Sequence, residues 1–130
     1  MMQPAKESID IGLVVSDINA SLQFYQTLLG LKKIEEMQVS FGTLHRLRLG
    51  MSDIKLIDPQ RKPAAGAIGV DQQLGIRYMT FVVQDLAGLI QQLEAAKVEF
   101  TVPRTVLGPN MTIAMVKDPD GNIVEFCEGS

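Results

Sequence analysis

The sequence is short of cysteine, of long apolar runs and of net charge, and each shortage narrows what the chain can be. One cysteine in 130 residues, Cys127, excludes an intrachain disulfide and fits a reducing compartment. No apolar run approaches the roughly 20 residues that span a bilayer, so a membrane protein is not expected. The opening Met-Met-Gln-Pro-Ala-Lys-Glu has no apolar segment of the secretory kind, and a cytoplasmic location is expected. With 12 basic and 15 acidic side chains the net charge is only -3, which gives nucleic acid or anionic lipid no electrostatic reason to bind. The expected partner is a small organic molecule or a second copy of the chain.

What is present is an ordinary globular composition, 46% hydrophobic and 21% charged, in a chain of a length suited to one domain with a sizeable core. Its organising feature is a repeat. The run Ile9-Asp10-Ile11-Gly12-Leu13-Val14-Val15 is followed by Asp17 as a candidate N-cap. Ile18, Leu22, Tyr25 and Leu29 then recur at helical spacing until Gly30 supplies a stop. A weaker copy returns at a constant offset, with Val83 answering Val15, Asp85 answering Asp17, and Leu86, Ile90 and Leu93 answering Ile18, Leu22 and Tyr25. The chain therefore reads as two similar strand–helix units inside one domain.

Taken in order, Glu7 to Ser16 predicts a strand and Asp17 to Leu29 a helix. Strands over Lys32 to Phe41, Thr43 to Leu49 and Asp53 to Asp58 follow, separated by Gly42 and by Gly50-Met51-Ser52. Pro59 to Gly75, rich in proline and glycine, reads as a connector long enough to be a lid or a surface excursion. The second half repeats the order: a strand over Ile76 to Gln84, a helix over Asp85 to Lys97, and strands over Glu99 to Val106, Asn110 to Lys117 and Ile123 to Glu128. Asp118-Pro119-Asp120-Gly121-Asn122 joins the last two as a hairpin, with Pro119 presetting its own φ and Gly121 accepting a positive one. Each half is β-α-β-β-β. The expected boundaries are a first module at about 7–58, a connector at 59–75 and a second module at about 76–130.

Two stretches carry a resemblance. Val15-Ser16-Asp17 with Ser21-Leu22-Gln23-Phe24-Tyr25-Gln26-Thr27-Leu28-Leu29-Gly30-Leu31, and Asp118 to Asn122 with Ile123-Val124-Glu125-Phe126, together resemble the vicinal oxygen chelate superfamily. That superfamily holds the glyoxalases, the extradiol dioxygenases and the bleomycin- and fosfomycin-resistance proteins. The resemblance covers nearly the whole chain. It implies an α+β fold of two βαβββ modules, whose eight strands form an open, barrel-like cavity with the helices outside, and it implies a homodimer. Because the fold hosts lyases, epimerases, dioxygenases and drug-sequestering proteins, it leaves the reaction open.

Members that use a metal draw ligands from the first and last strands of each module. The resemblance places Asp10 and Tyr78 where histidines often stand, Lys55 where a glutamate often stands, and Glu125 where the glutamate is kept. A catalytic divalent ion needs about three good ligands, tyrosine is a poor one at neutral pH, and an ammonium repels the ion. No metal and no other cofactor is expected, and glyoxalase I and extradiol dioxygenase chemistry are disfavoured.

Strand alternation orients the same residues. Ile54 and Leu56 should meet the first helix while Asp53 and Lys55 face the concave side; Val124 and Phe126 should meet the second helix, leaving Glu125 inward. Leu47 and Leu49 take the helix side, and His45, the only histidine, shares their parity and not that of Arg46 and Arg48. The candidate binding set is Asp10, Arg46, Arg48, Lys55, Tyr78 and Glu125, with Glu125 and Lys55 as the candidate catalytic pair. Lys55 is expected to form an ion pair with Glu125, Asp10 or both, placing a fixed cation where relatives seat a metal. Beside these readings stand plainer ones: a structural ion-pair network for Asp10, Lys55 and Glu125, a core aromatic with a satisfied hydroxyl for Tyr78, solvated strand residues for Arg46 and Arg48, and a packing thiol for Cys127. Two functional classes follow: a protein that binds a small molecule without reaction, or a metal-independent isomerase or lyase. A metal lyase or dioxygenase with unorthodox ligands is the remaining alternative.

Overall fold

A computed structural model describes residues 1–129, and in it the chain divides into two compact units, Met1–Ala64 and Ala65–Ser130. The division falls inside the proline- and glycine-rich connector.

The first unit begins with β1 (Ile11–Val14) and a helical segment, then runs through β2 (Lys32–Val39), β3 (Gly42–Leu49) and β4 (Ser52–Pro59). Its sheet has the order β1-β4-β3-β2, with β1 parallel to β4 and the other pairs antiparallel. The second unit repeats this with β5 (Tyr78–Val82), α2 (Leu86–Ala95), β6 (Phe100–Gly108), β7 (Met111–Lys117) and β8 (Ile123–Gly129), in the order β5-β8-β7-β6. The fold is thus α+β, and each unit is a βαβββ module, as the repeat implied.

Caps and alternation explain both modules. Asp17 accepts the backbone N–H groups of Asn19 and Ala20, and Asp85 accepts that of Gly88, so each helix starts on the aspartate that the repeat singled out. On the helix-facing side of the first sheet Ile54, Leu56, Leu47 and His45 are buried; on that of the second, Val124, Phe126, Ala114 and Val116 are. Tyr25 and Leu93, equivalent in the repeat, are both fully buried. Phe81 and Phe126, paired in register, stack with ring centroids 5.9 Å apart.

The first helix departs from expectation. It is α-helical only over α1 (Ile18–Leu22) and continues as π-helical turns from Gln23 to Leu28. Leu29 N–H donates to the carbonyl of Phe24 at 2.9 Å, one residue further back than in an α-helix. The widened turns bury Phe24 and Tyr25 together, edge to face at 4.8 Å, although neighbours in sequence point in different directions on a regular helix. The first strand is also shorter than the apolar pattern suggested, and Leu49, expected on the helix side, is 52% exposed at the end of β3.

Candidate functional site

The face of the first sheet turned away from α1 is organised by a buried carboxylate, Asp53. In the register of β3 on β4 Asp53 sits opposite Arg48, and Arg46 opposite Lys55. Arg48 donates Nε to Oδ1 of Asp53 at 2.7 Å and Nη2 to Oδ2 at 3.1 Å, while Arg46 donates Nη1 to Oδ2 at 2.8 Å. Arg46 also reaches Glu35 at 3.3 Å. The two guanidinium groups hold the carboxyl of Asp53 far below the usual carboxylate range, the Arg48 hydrogen bond contributing most and burial opposing it. Arg46 and Arg48 are therefore not free solvated side chains but the two jaws of a clamp.

Asp10 stands at the end of the same face, but its partner is not Lys55. Lys6 Nζ reaches Asp10 Oδ1 at 2.6 Å, and the backbone N–H of Asp53 donates to the same oxygen at 2.9 Å. Both bonds, the lysine first, lower the Asp10 pKa. The expected Lys55–Asp10 ion pair is thereby corrected: Lys6, only four residues away in the chain, satisfies Asp10 locally. Within this unit Lys55 is left half-buried with no acidic partner. Its register neighbour on β1 is Gly12, which has no side chain, and on β3 Arg46, which repels it.

His45 lies on the opposite, helix-covered face, as parity required. Burial, then Lys33, lowers its pKa, against opposing contributions from Glu36 and Asp58. Its Nδ1 is 3.2 Å from a Glu36 carboxylate oxygen but outside hydrogen-bonding geometry.

In the second unit Tyr78 and Thr80 of β5 face away from the helix with Glu125 of β8. Thr80 is paired in register with Glu125, and its hydroxyl donates to Oε1 of Glu125 at 2.7 Å. This leaves the other carboxylate oxygen of Glu125 available on a half-exposed surface. Tyr78 is 51% exposed, which corrects its reading as a core aromatic: it begins β5, where the sheet is not covered. Cys127 is buried, as a packing thiol should be, with its Sγ 3.4 Å from the carbonyl of Gly129.

The connector folds back within the second unit. Arg77 donates to the carbonyls of Ala67 and Gly69 at 2.6 and 2.8 Å, and Ala67 N–H reaches the Gln73 side chain at 3.1 Å. Ile68 lies over Gly121 in the Asp118–Asn122 turn, which Asp118 ties by accepting the N–H groups of Asp120 and Asn122. Gly121 has φ +87° and a Cβ there would stand 2.7 Å from Ile68, so both backbone and neighbour call for glycine. A small cleft of about 150 Å³ lies between this loop and the turn.

The paired βαβββ modules and the clamped charged strand define a class, and the comparisons supply the family. The chain matches the Glyoxalase/Bleomycin resistance protein/Dioxygenase superfamily over residues 9–126 and belongs to it. A curated relative, the uncharacterized protein YwbC of Bacillus subtilis, is 27% identical, the match covering 94% of this chain and 97% of that one. Among solved structures, a glyoxalase family protein from Bacillus cereus superposes with TM-score 0.82 at 14% identity, covering 98% of this chain and 96% of the other. A lactoylglutathione lyase from Agrobacterium tumefaciens gives TM-score 0.67 at 24% identity, again over 98% and 96%. At these identities the structures establish the fold and not the reaction.

The superfamily's metal can be tested against the residues that stand here. Asp10 Oδ1 is occupied by Lys6 and by the Asp53 N–H, and on the same face Lys55 and Arg46, opposite each other in register, are both cations. Among the described residues no group of three or more His, Cys, Asp or Glu side chains is arranged to hold an ion. The donor set of the first unit does not fit a divalent cation.

Proposed function

We propose that this protein binds a small organic molecule on the sheet faces turned away from its helices, with Lys55 as a polar anchor on that of the first unit, Glu125 as one on that of the second, and no metal ion. Proteins of this superfamily often bind small molecules and form dimers, and a cytoplasmic homodimer is the form we assign to this chain. The observation that carries the reading is Lys55, a half-buried ammonium whose neighbouring acid is already paired with another lysine. An unpaired charge in such a position is stabilised by a ligand that supplies its counterpart or accepts its hydrogen bonds. Arg46 lies opposite Lys55 in register, Asp10 and Arg48 stand further along the same face, and Tyr78 shares the open face of the second module with Glu125.

A second reading, a metal-independent isomerase or lyase, draws support from Glu125. Its carboxylate is fixed by Thr80 through one oxygen, an arrangement suited to a general base whose other oxygen accepts a proton from a bound substrate.

The test is a thermal-shift screen of wild type, Lys55→Met and Glu125→Gln against small molecules of positive, zero and negative charge. Saturable stabilisation of wild type that either variant loses is the expected result. A screen without hits, or hits that bind both variants as well as wild type, would overturn the reading. Turnover separates the two classes: a sequestering protein changes in affinity alone, whereas an enzyme carrying Lys55→Met keeps some ligand and loses rate.

A further inference from the structure

We propose, building on that reading, that the ligand is an amphipathic organic monoanion, a carboxylate head on an apolar body, seated lengthwise on the first module's open face. The strand registers divide this face into rows. One row runs Val14, Ile57, Leu44 and Met37 across β1, β4, β3 and β2 and is apolar throughout. Val14 and Met37 are 50% and 44% exposed, so the row is open to an occupant. The next row runs Gly12, Lys55, Arg46 and Glu35, and Arg48 with Asp53 lies beyond it.

Charge complementarity selects the head group. On this face Lys6 is paired with Asp10, Arg46 shares Asp53 and Glu35, and Arg48 holds Asp53, which leaves two cations over among the described residues: Lys55 beside the apolar row, and Lys32 at the exposed start of β2, opposite Arg48. The clamp does not exhaust the arginines. Arg46 uses Nε and Nη1, and Arg48 uses Nε and Nη2, which leaves Nη2 of the first and Nη1 of the second without a bond among the described residues. Lys55 alone matches a monoanion, whereas the second charge of a phosphate dianion would have to reach Lys32, two strands and one row away. The absent side chain at Gly12 leaves Lys55 approachable: a Cβ built there meets only the end of Ile57, at 3.8 Å. A carboxylate bound at Lys55 would lay its hydrocarbon along Val14, Ile57 and Leu44, one row away.

The experiment compares matched pairs by calorimetry on the full chain: straight-chain and aryl carboxylates, their primary amides, and the corresponding phosphate monoesters. Acids should bind saturably, the amides about tenfold or more weakly, and affinity should fall as sodium chloride rises. Lys55→Met should lower acid affinity about tenfold or more and Lys55→Arg should restore most of it, while circular dichroism shows both variants folded. Lengthening the chain of the acid should tighten binding, and Val14→Asp should cancel that gain. Amides that bind as well as acids, phosphates that bind better than both, or Lys55→Met binding acids normally would each overturn the proposal. So would a complete absence of acid binding. Neutral or cationic hits in the broader screen that depend on Lys55 or Glu125 would then leave the small-molecule reading standing, whereas no hits of any charge would remove both.

Discussion

Arg48 and Asp53 face each other across the β3–β4 hairpin, and the guanidinium grips both carboxylate oxygens of a side chain that is 2% exposed. The pair closes the strand ends and at the same time aims Arg46 along the open face. Asp53→Asn keeps the shape but leaves two cations without their shared anion. Urea denaturation should show a loss of about 1–3 kcal/mol, toward the lower end because Arg48 is itself partly exposed to water. Arg48→Lys should not substitute well, since an ammonium cannot span two oxygens in one plane. A stability for Asp53→Asn equal to wild type would show that the clamp is ornamental.

The same carboxylate and the one histidine set the response to acid. Asp53 titrates below its ordinary 3.8 in the folded protein, so the stability it contributes is present above that value and is lost as the pH falls through the folded one. His45 also titrates below its ordinary 6.5, chiefly because burial disfavours its charged form. Its neutral form is favoured on folding, so stability declines once the pH drops below 6.5. Melting temperature followed from pH 8 downward should therefore fall in two stages. His45→Leu should flatten the upper stage and Asp53→Asn the lower. A wild-type melting temperature that stays level from pH 7 to pH 5 would contradict the first assignment.

Arg77 and Gly121 hold the connector against the Asp118–Asn122 turn, and each can be removed separately. Arg77→Gln loses the bonds to the carbonyls of Ala67 and Gly69 and should speed proteolysis within the connector with little change in global melting temperature. Gly121→Ala forces a side chain into a left-handed conformation and against Ile68, and should destabilise by about 1–2 kcal/mol. Limited digestion with a protease of broad specificity, such as subtilisin, with mass analysis of the cut sites distinguishes the two effects. Unchanged cleavage in Arg77→Gln would show that the loop is anchored by other means.

The fold was legible because its signals are local and repeated. Asp17 and Asp85 cap helices at the same offset as Val14 and Val82 end strands, and the alternation of Ile54, Leu56, Val124 and Phe126 sorts core from open face. The candidate site was legible only in part. Parity placed Lys55, Arg46 and Arg48 on one face and His45 on the other, but parity does not say who pairs with whom. Lys6 reached Asp10 first because an ion pair four residues apart needs little chain closure, and this left Lys55 alone. Parity alone does not mark Asp53 as an organiser, although a signal is present: Gly50-Met51 closes the hairpin, which pairs Leu49 with Ser52 and sets Asp53 directly across from Arg48. The π-helical continuation of α1 left no mark in the spacing of Leu22, Tyr25 and Leu29, since a single inserted residue per turn still keeps Tyr25 inside.

The metal question turns on the charge at position 55. Relatives that seat a divalent ion surround it with carboxylate and imidazole, whereas here Lys55 presents an ammonium and Asp10 has its oxygen engaged by Lys6 and by the Asp53 N–H. Bringing a doubly positive ion near would repel Lys55 and require Asp10 to break both bonds. Protein purified without chelator should contain far less than one divalent ion per chain by elemental analysis, and Ni²⁺, Mn²⁺, Fe²⁺ or Zn²⁺ should give no stabilisation that Glu125→Gln removes. Reversing the charge supplies the control. Lys55→Glu deletes the repelling ammonium and adds a carboxylate, so divalent ions should stabilise this variant more than wild type, and Lys6→Ala combined with it should strengthen the response by freeing Asp10. A stoichiometric ion in the wild-type protein that disappears with Glu125→Gln would contradict the metal-free assignment, and a Lys55→Glu variant that responds to divalent ions no more than wild type would show that the charge at position 55 is not what excludes them.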